Sequence, residues 1–430
     1  MTDGVSQAPG FGRSLQHRQA ALRHLAFGVS STPRATQRPV PIVAERADGC
    51  WITDADGNRF IDYALGYGPL LLGHTPQAVL EAVRAELDRG LRTASVHRGE
   101  AELAELIAEC VPSAELSAFV STGTEAIQLA LRIARAATGR IPAVKFRANY
   151  HGWSDSVQVA NRPGDDGPGA IGQDPAAAAA LTILDWGDAD ALERVVDGSY
   201  AAVLLEPVAV NSGCFAPPPG YLQLVREITR QHGVLLIFDE VVTGFRMALG
   251  GAQARYGVLP DLTVLGKALG AGLPIGAVAG TREAMAPVAS GALFHRGTFN
   301  GNPLSVAAGI ACLRTLMEQA ATLFPRMERQ AAALAAHVNA EAARLGVEAC
   351  AQQAGPVLQL FAGARELRGI ADLDRTDRDG TLRLTESLLR DGVQAIPRGL
   401  MYVSAAHGEA EIEATVAALT RALAALGRTT

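Results

Sequence analysis

Four stretches of this sequence carry side chains whose type and placement can do chemistry. Leu235-Leu236-Ile237-Phe238-Asp239-Glu240 ends an apolar run on a carboxylate, and open α/β sheets bind ligands at the carboxyl ends of their strands. Taken alone, the same acid serves equally well as a strand-terminal cap. Asp261-Leu262-Thr263-Val264-Leu265-Gly266-Lys267-Ala268 sets a lysine directly after a second apolar run. A lysine there is ordinarily solvated, but a desolvated one loses basicity and becomes a nucleophilic amine. Gly266-Lys267 does not complete a nucleotide phosphate loop, because Asp261 stands where that motif needs Gly and Ala268 where it needs Ser or Thr. Ser121-Thr122-Gly123-Thr124-Glu125-Ala126 turns from a strand into a helix. Helix-start N–H groups beside hydroxyls make a phosphate cradle, although such a turn also simply caps helices. Asn149-Tyr150-His151-Gly152 places an aromatic after another strand, able to cover a flat ring.

The elements that must position these groups follow from the apolar pattern. Short runs rich in Val, Leu and Ile at 117–120, 143–146, 201–206, 234–239, 262–265 and 275–279 read as buried strands. Helical stretches at 125–137 and 221–231 alternate with them, which implies an α/β fold with a mostly parallel sheet flanked by helices. Residues 161–180, with Arg-Pro-Gly-Asp-Asp-Gly-Pro-Gly and then an alanine run, read as a mobile loop beside the sheet. After Pro303 the chain turns helical, at 304–319 and again at about 327–345. Residues 49–62 give a hairpin signal with Asp56-Gly57 at its turn. The expected division is an N-terminal segment (1–65) contributing to a small α+β domain, a large domain (66–305) and a C-terminal part of the small domain (306–430). No internal repeat is visible.

Composition narrows the function. With 48% hydrophobic and 19% charged residues the chain is an ordinary globular one, and a net charge of -6 argues against a general nucleic-acid binder. The cysteines Cys50, Cys110, Cys214, Cys312 and Cys350 are scattered, with no metal-ligand or redox spacing, so no metal is expected. No apolar run reaches the roughly 18 residues of a membrane span, and residues 1–30 have neither signal-peptide nor anchor character. A cytoplasmic protein is expected.

In order, Gly28-Val29-Ser30-Ser31, Asp56-Gly57-Asn58-Arg59, Ser121 to Ala126, Tyr150-His151-Gly152, Glu206-Pro207, Asp239-Glu240-Val241, Leu265-Gly266-Lys267 and Gly297-Thr298-Phe299-Asn300-Gly301-Asn302-Pro303 resemble the class III aminotransferases, which depend on pyridoxal 5'-phosphate (PLP). The likeness runs from about Gly28 to the C-terminus and is nearest to the glutamate-1-semialdehyde 2,1-aminomutase subgroup. It implies the fold type I architecture of PLP transferases and a homodimer with shared active sites. By this resemblance Lys267 carries PLP as a Schiff base and shuttles protons, and Asp239 keeps the pyridine nitrogen protonated. Ser121, Gly123 and Thr124 hold the phosphate, with Thr298 coming from the neighbouring subunit. Tyr150 stacks on the ring with His151 beside it, Val241 packs on the other face, Asn211 approaches the phenolic oxygen, and Glu206 orients its neighbours.

Recognition of substrate departs from the aminomutase pattern. Arg34 matches the position that grips a substrate carboxylate there, and a guanidinium fork suits that task. Tyr67 joins it as a substrate-side candidate. Ile396-Pro397-Arg398-Gly399-Leu400 instead resembles β-amino-acid aminotransferases, where an arginine takes a second carboxylate; a surface arginine after a proline is the plain alternative. The segment 161–170 is also shorter than the aminomutase's gating loop. The expectation is a ping-pong transfer from an amino-acid donor to a carbonyl acceptor, at least one of them carboxylated. Intramolecular aminomutase chemistry and racemisation are the alternatives within the class, and a non-enzymatic PLP-binding protein is disfavoured by the intact Lys267 and Asp239.

Overall fold

The structure is a computed structural model that describes residues 9–428 except residue 165. The first eight residues of the N-terminal stretch and one position of the 161–170 segment therefore lie outside the described residues.

A seven-stranded sheet organises the chain, in the spatial order Leu116–Val120, Gly276–Gly280, Leu262–Leu265, Leu235–Asp239, Ala202–Leu205, Ala143–Phe146 and Leu181–Leu184. Successive side chains of a strand point to opposite faces. In Leu235–Asp239, Ile237 packs with the helix Gly123–Thr138 through Ile127 and Ile133, whereas Leu236 and Phe238 pack with Tyr221–Gln231 through Leu222, Val225 and Ile228. Both faces are apolar because both are covered, which is why the strand reads as an unbroken hydrophobic run. Gly276–Gly280 is the exception to the parallel arrangement, pairing antiparallel with both of its neighbours.

The edge strand Leu181–Leu184 follows the loop without any strong signal of its own. Its four residues are only partly buried, so it lacks the apolar density of the inner strands. The helix after Pro303 differs from the two-piece expectation: Pro303–Leu345 is one helix of 43 residues that passes through Pro325. Proline removes one backbone donor there, but buried Leu323, Phe324 and Met327 hold the helix on both sides of it.

The hairpin forms as expected. Trp51–Asp54 pairs antiparallel with Arg59–Asp62, and Gly57 turns at φ 87°. Val393–Gln394 then adds parallel to Arg59–Asp62, so chain ends far apart in sequence share one four-stranded sheet. Ala349–Ala354, Val357–Ala362 and Leu400–Tyr402 form a further three-stranded sheet. Among the described residues no helix is long and apolar enough to cross a membrane.

Candidate active site

The carboxyl ends of the parallel strands converge on a cavity of about 190 Å³. Gly123, Thr124, Tyr150, His151, Glu206, Asn211, Asp239, Val241 and Lys267 all line it, although they come from six separate segments of the chain. Asp239 closes the strand Leu235–Asp239. One carboxylate oxygen accepts the Val241 N–H at 3.0 Å, and the other meets His151 Nδ1 at 2.7 Å. Burial depresses the His151 pKa, against the pull of Asp239, and among the described residues its Nε2 has no partner.

Lys267 follows Leu262–Leu265 in a left-handed conformation (φ 44°). Its side chain faces the cavity but is otherwise walled in, and burial brings its pKa down from 10.5 to about 8. Asp239 and Glu206 oppose that fall, while Arg246 and Arg398 add to it.

Helix Gly123–Thr138 begins with a capping box. Thr122 Oγ1 accepts the Glu125 N–H, and Glu125 Oε2 accepts the N–H groups of Ser121 and Thr122 at 2.9 Å each. Among the described residues the amides of Gly123 and Thr124 have no partner, and they lie next to the cavity at the positive end of the helix dipole. Ser121 departs from its expected role in part: its amide is taken by Glu125, and it does not line the cavity. Gly152, φ 90°, passes so close that a Cβ would stand 2.5 Å from Thr124 Oγ1. A Cβ on Gly123 would meet both methyls of Val241 at 3.2 Å.

Glu206 is buried beside the cavity. It accepts the Tyr150 N–H at 2.8 Å and both the N–H and the side-chain amide of Asn211. Burial, reinforced by Asp239, pushes its carboxyl up to about 7. Asn211 passes the chain outward, because Arg398 donates to its carbonyl at 2.8 Å and to its Oδ1 at 3.1 Å. Arg34 and Tyr67 line a second cavity with Ile396 and Pro397. Both Arg34 and Arg398 act on the Tyr67 phenol, whose pKa burial raises. Thr298 is exposed and lines no part of this chain's own cavity.

A match to the family model for class III aminotransferases spans residues 32–349. The chain belongs to the class III aminotransferases. Among its relatives, the glutamate-1-semialdehyde 2,1-aminomutase of Ignicoccus hospitalis is 39% identical over 96% of this chain and 99% of its own length. That of Pelotomaculum thermopropionicum is 41% identical over 97% and 98%. Among solved structures, an omega-transaminase from Sphaerobacter thermophilus superposes with a TM-score of 0.88 at 33% identity, covering 96% of this chain and 97% of its own. A transaminase with PLP bound gives 0.89 at 27% identity over 98% and 99%.

As a class III aminotransferase the protein is an α/β enzyme of PLP fold type I, and PLP is its cofactor. The cavity's own features fit that group. A lysine amine held near neutrality suits an aldehyde, two free amides at a helix start suit a phosphate, and a buried carboxylate suits a ring nitrogen.

Sequence reading missed two buried cations near the site. Lys145, in Ala143–Phe146, is fully enclosed and donates to the Val159 carbonyl at 2.8 Å. A signal for it existed: the chain has only two lysines, Lys145 and Lys267, against 36 arginines. Arg246 gave no such signal.

Proposed function

We propose that this enzyme transfers an amino group between two separate substrates, an amino-acid donor and a carbonyl acceptor, in two half-reactions. When bound, PLP supplies an aldehyde to take up the amine and an electron-withdrawing ring. The Lys267 amine anchors the cofactor, yields its place to the substrate amine and then moves a proton at the substrate carbon. Its lowered pKa leaves a useful fraction as free base near pH 8. Asp239, braced by His151 and the Val241 N–H, keeps the ring nitrogen cationic. The Gly123 and Thr124 amides hold the phosphate, Tyr150 and Val241 enclose the ring, and Asn211 reaches its phenolic oxygen. We assign Thr298 to the site of a second copy in a homodimer. Five free, buried thiols fit a reducing compartment, which we take to be the cytoplasm.

One observation carries the choice of substrate class. Arg34 and Arg398 both act on the Tyr67 phenol, and among the described residues neither pairs with a carboxylate. Two guanidinium groups without counter-ions favour carboxylated partners on the donor and acceptor sides. The test is a panel of donors with and without a carboxylate, read by bleaching of the visible cofactor band and its recovery on adding keto acids. Equal rates for carboxylated donors and simple amines would remove the argument.

The identity of 39–41% with aminomutases favours a second reading, intramolecular amine transfer. Turnover of glutamate-1-semialdehyde alone, with no second substrate, would decide for it.

A further inference from the structure

Arg246 heads the fully buried side chains by size, and no carboxylate pairs with it among the described residues. Its Nε donates to the Val242 carbonyl at 3.2 Å, one terminal nitrogen donates to the Gly68 carbonyl, and the other has no partner among the described residues. The guanidinium lies over the Tyr402 ring, 5.0 Å from its centre. An uncompensated buried charge costs a fold several kcal/mol, so it calls for a reason.

Gly68 supplies the reason. A Cβ built there would stand 3.3 Å from Lys267 Cδ, 3.3 Å from Tyr402 Cζ and 3.4 Å from an Arg246 terminal nitrogen. Three side chains thus close on one glycine, where a Cβ would be crowded and the φ of 109° would be strained. Gly68 also ends a run of left-handed backbone: Leu65 at φ 46°, Gly66 at 64°, Tyr67 at 68° and Gly68 at 109°. For Leu65 and Tyr67 that conformation costs about 1 kcal/mol or more each. The run is held from both ends. The Asp62 carboxylate accepts the N–H groups of Ala64 at 2.8 Å and Leu65 at 3.1 Å, and Arg246 holds the Gly68 carbonyl. It carries Tyr67, on whose phenol Arg34 and Arg398 both act.

We propose that Arg246 is a positioning residue of the amine-transfer site, clamping the left-handed turn that carries Tyr67 while standing as an unneutralised positive charge against the Lys267 side chain. The proposal rests on the reading of Lys267 as the cofactor lysine. Four charged groups face that amine: Asp239 and Glu206 favour its protonated form, and Arg246 and Arg398 disfavour it. Arg246 itself faces Tyr402 and Cys312. Taking away its charge therefore raises the Lys267 pKa, and loosening its fork frees Tyr67.

The presence of only two lysines makes the effect directly readable. The full-length, PLP-free chain labelled with [ε-13C]lysine gives two side-chain signals, titrated by NMR. Lys145, which faces Glu206 and Arg147 rather than Arg246, is the internal control. Arg246→Met should move the Lys267 titration up by about one pH unit and leave Lys145 in place. Arg246→Lys, which adds a third signal, should leave Lys267 low but raise KM for a carboxylated donor more than it lowers kcat. An unmoved Lys267 in Arg246→Met, or the two lysines shifting together, overturns the electrostatic role. An unchanged KM in Arg246→Lys overturns the clamp, and that variant decides alone if the methionine protein does not fold. Adding PLP to the parent protein tests the underlying reading separately, because capture at Lys145 would displace Lys267 as anchor without altering what Arg246 does to its titration.

Discussion

Lys145→Met isolates the energetics of a buried ammonium group. Burial takes the Lys145 pKa from 10.5 to about 7, against the opposing effect of Glu206. A fall of that size disfavours the charged form by about 5 kcal/mol. Below pH 7 folded and unfolded chains both carry the proton. Between about pH 7 and 10.5 the unfolded chain holds a proton that the folded one has released, so this group makes stability rise by about 1.4 kcal/mol per pH unit. Methionine has no such slope. The variant also leaves the Val159 carbonyl without its donor, a roughly pH-independent cost of about 1–3 kcal/mol. The variant's stability relative to the parent should therefore fall by about 2 kcal/mol from pH 7 to 8.5. Urea unfolding of both proteins at pH 6.5, 7.5 and 8.5, followed by far-UV circular dichroism, measures it. A difference constant within about 0.5 kcal/mol across that range refutes the reasoning.

Other substitutions probe the site directly. Lys267→Ala should lower turnover by roughly 10³-fold or more and abolish the visible band of the lysine-attached cofactor; near-normal turnover would end the assignment. Gly152→Ala drives a methyl to 2.5 Å from Thr124 Oγ1 at a backbone φ of 90°, and should weaken PLP retention about tenfold or more in equilibrium dialysis. Unaltered retention would take Thr124 out of the phosphate cradle. Asp239→Asn leaves His151 without its charged partner and should cut kcat by about 10²-fold with little change in KM, measured at saturating PLP. A change confined to KM would contradict its proposed role at the ring nitrogen.

The inner strands were legible in the sequence, and the candidate site residues were marked there, because each leaves a local trace. Leu235–Asp239 and Leu262–Leu265 are apolar runs that stop on a carboxylate and just before a lysine, and covered sheets need such runs. The Thr122–Glu125 capping box marks its helix start within four residues. Less local features did not show. Leu181–Leu184 is only partly buried and so lacks apolar contrast, and the helix read as two stretches at 304–319 and about 327–345 runs on through Pro325 because packing on either side holds it. Ser121 shows the same limit at the site: its hydroxyl and amide suit a phosphate, but the amide is already satisfied by Glu125.

By itself, then, the sequence determined which strands carry reactive groups and in what order, since hydrophobic period and turn chemistry operate over a few residues. Only the tertiary structure decided that Arg246, Gly68, Tyr402 and Lys267 meet, that Glu206 links Tyr150 to Asn211 and so to Arg398, and that Lys145 is fully buried. Those contacts join residues up to hundreds of positions apart. Charge, burial and desolvation depend on distance through space, which no spacing along the chain encodes.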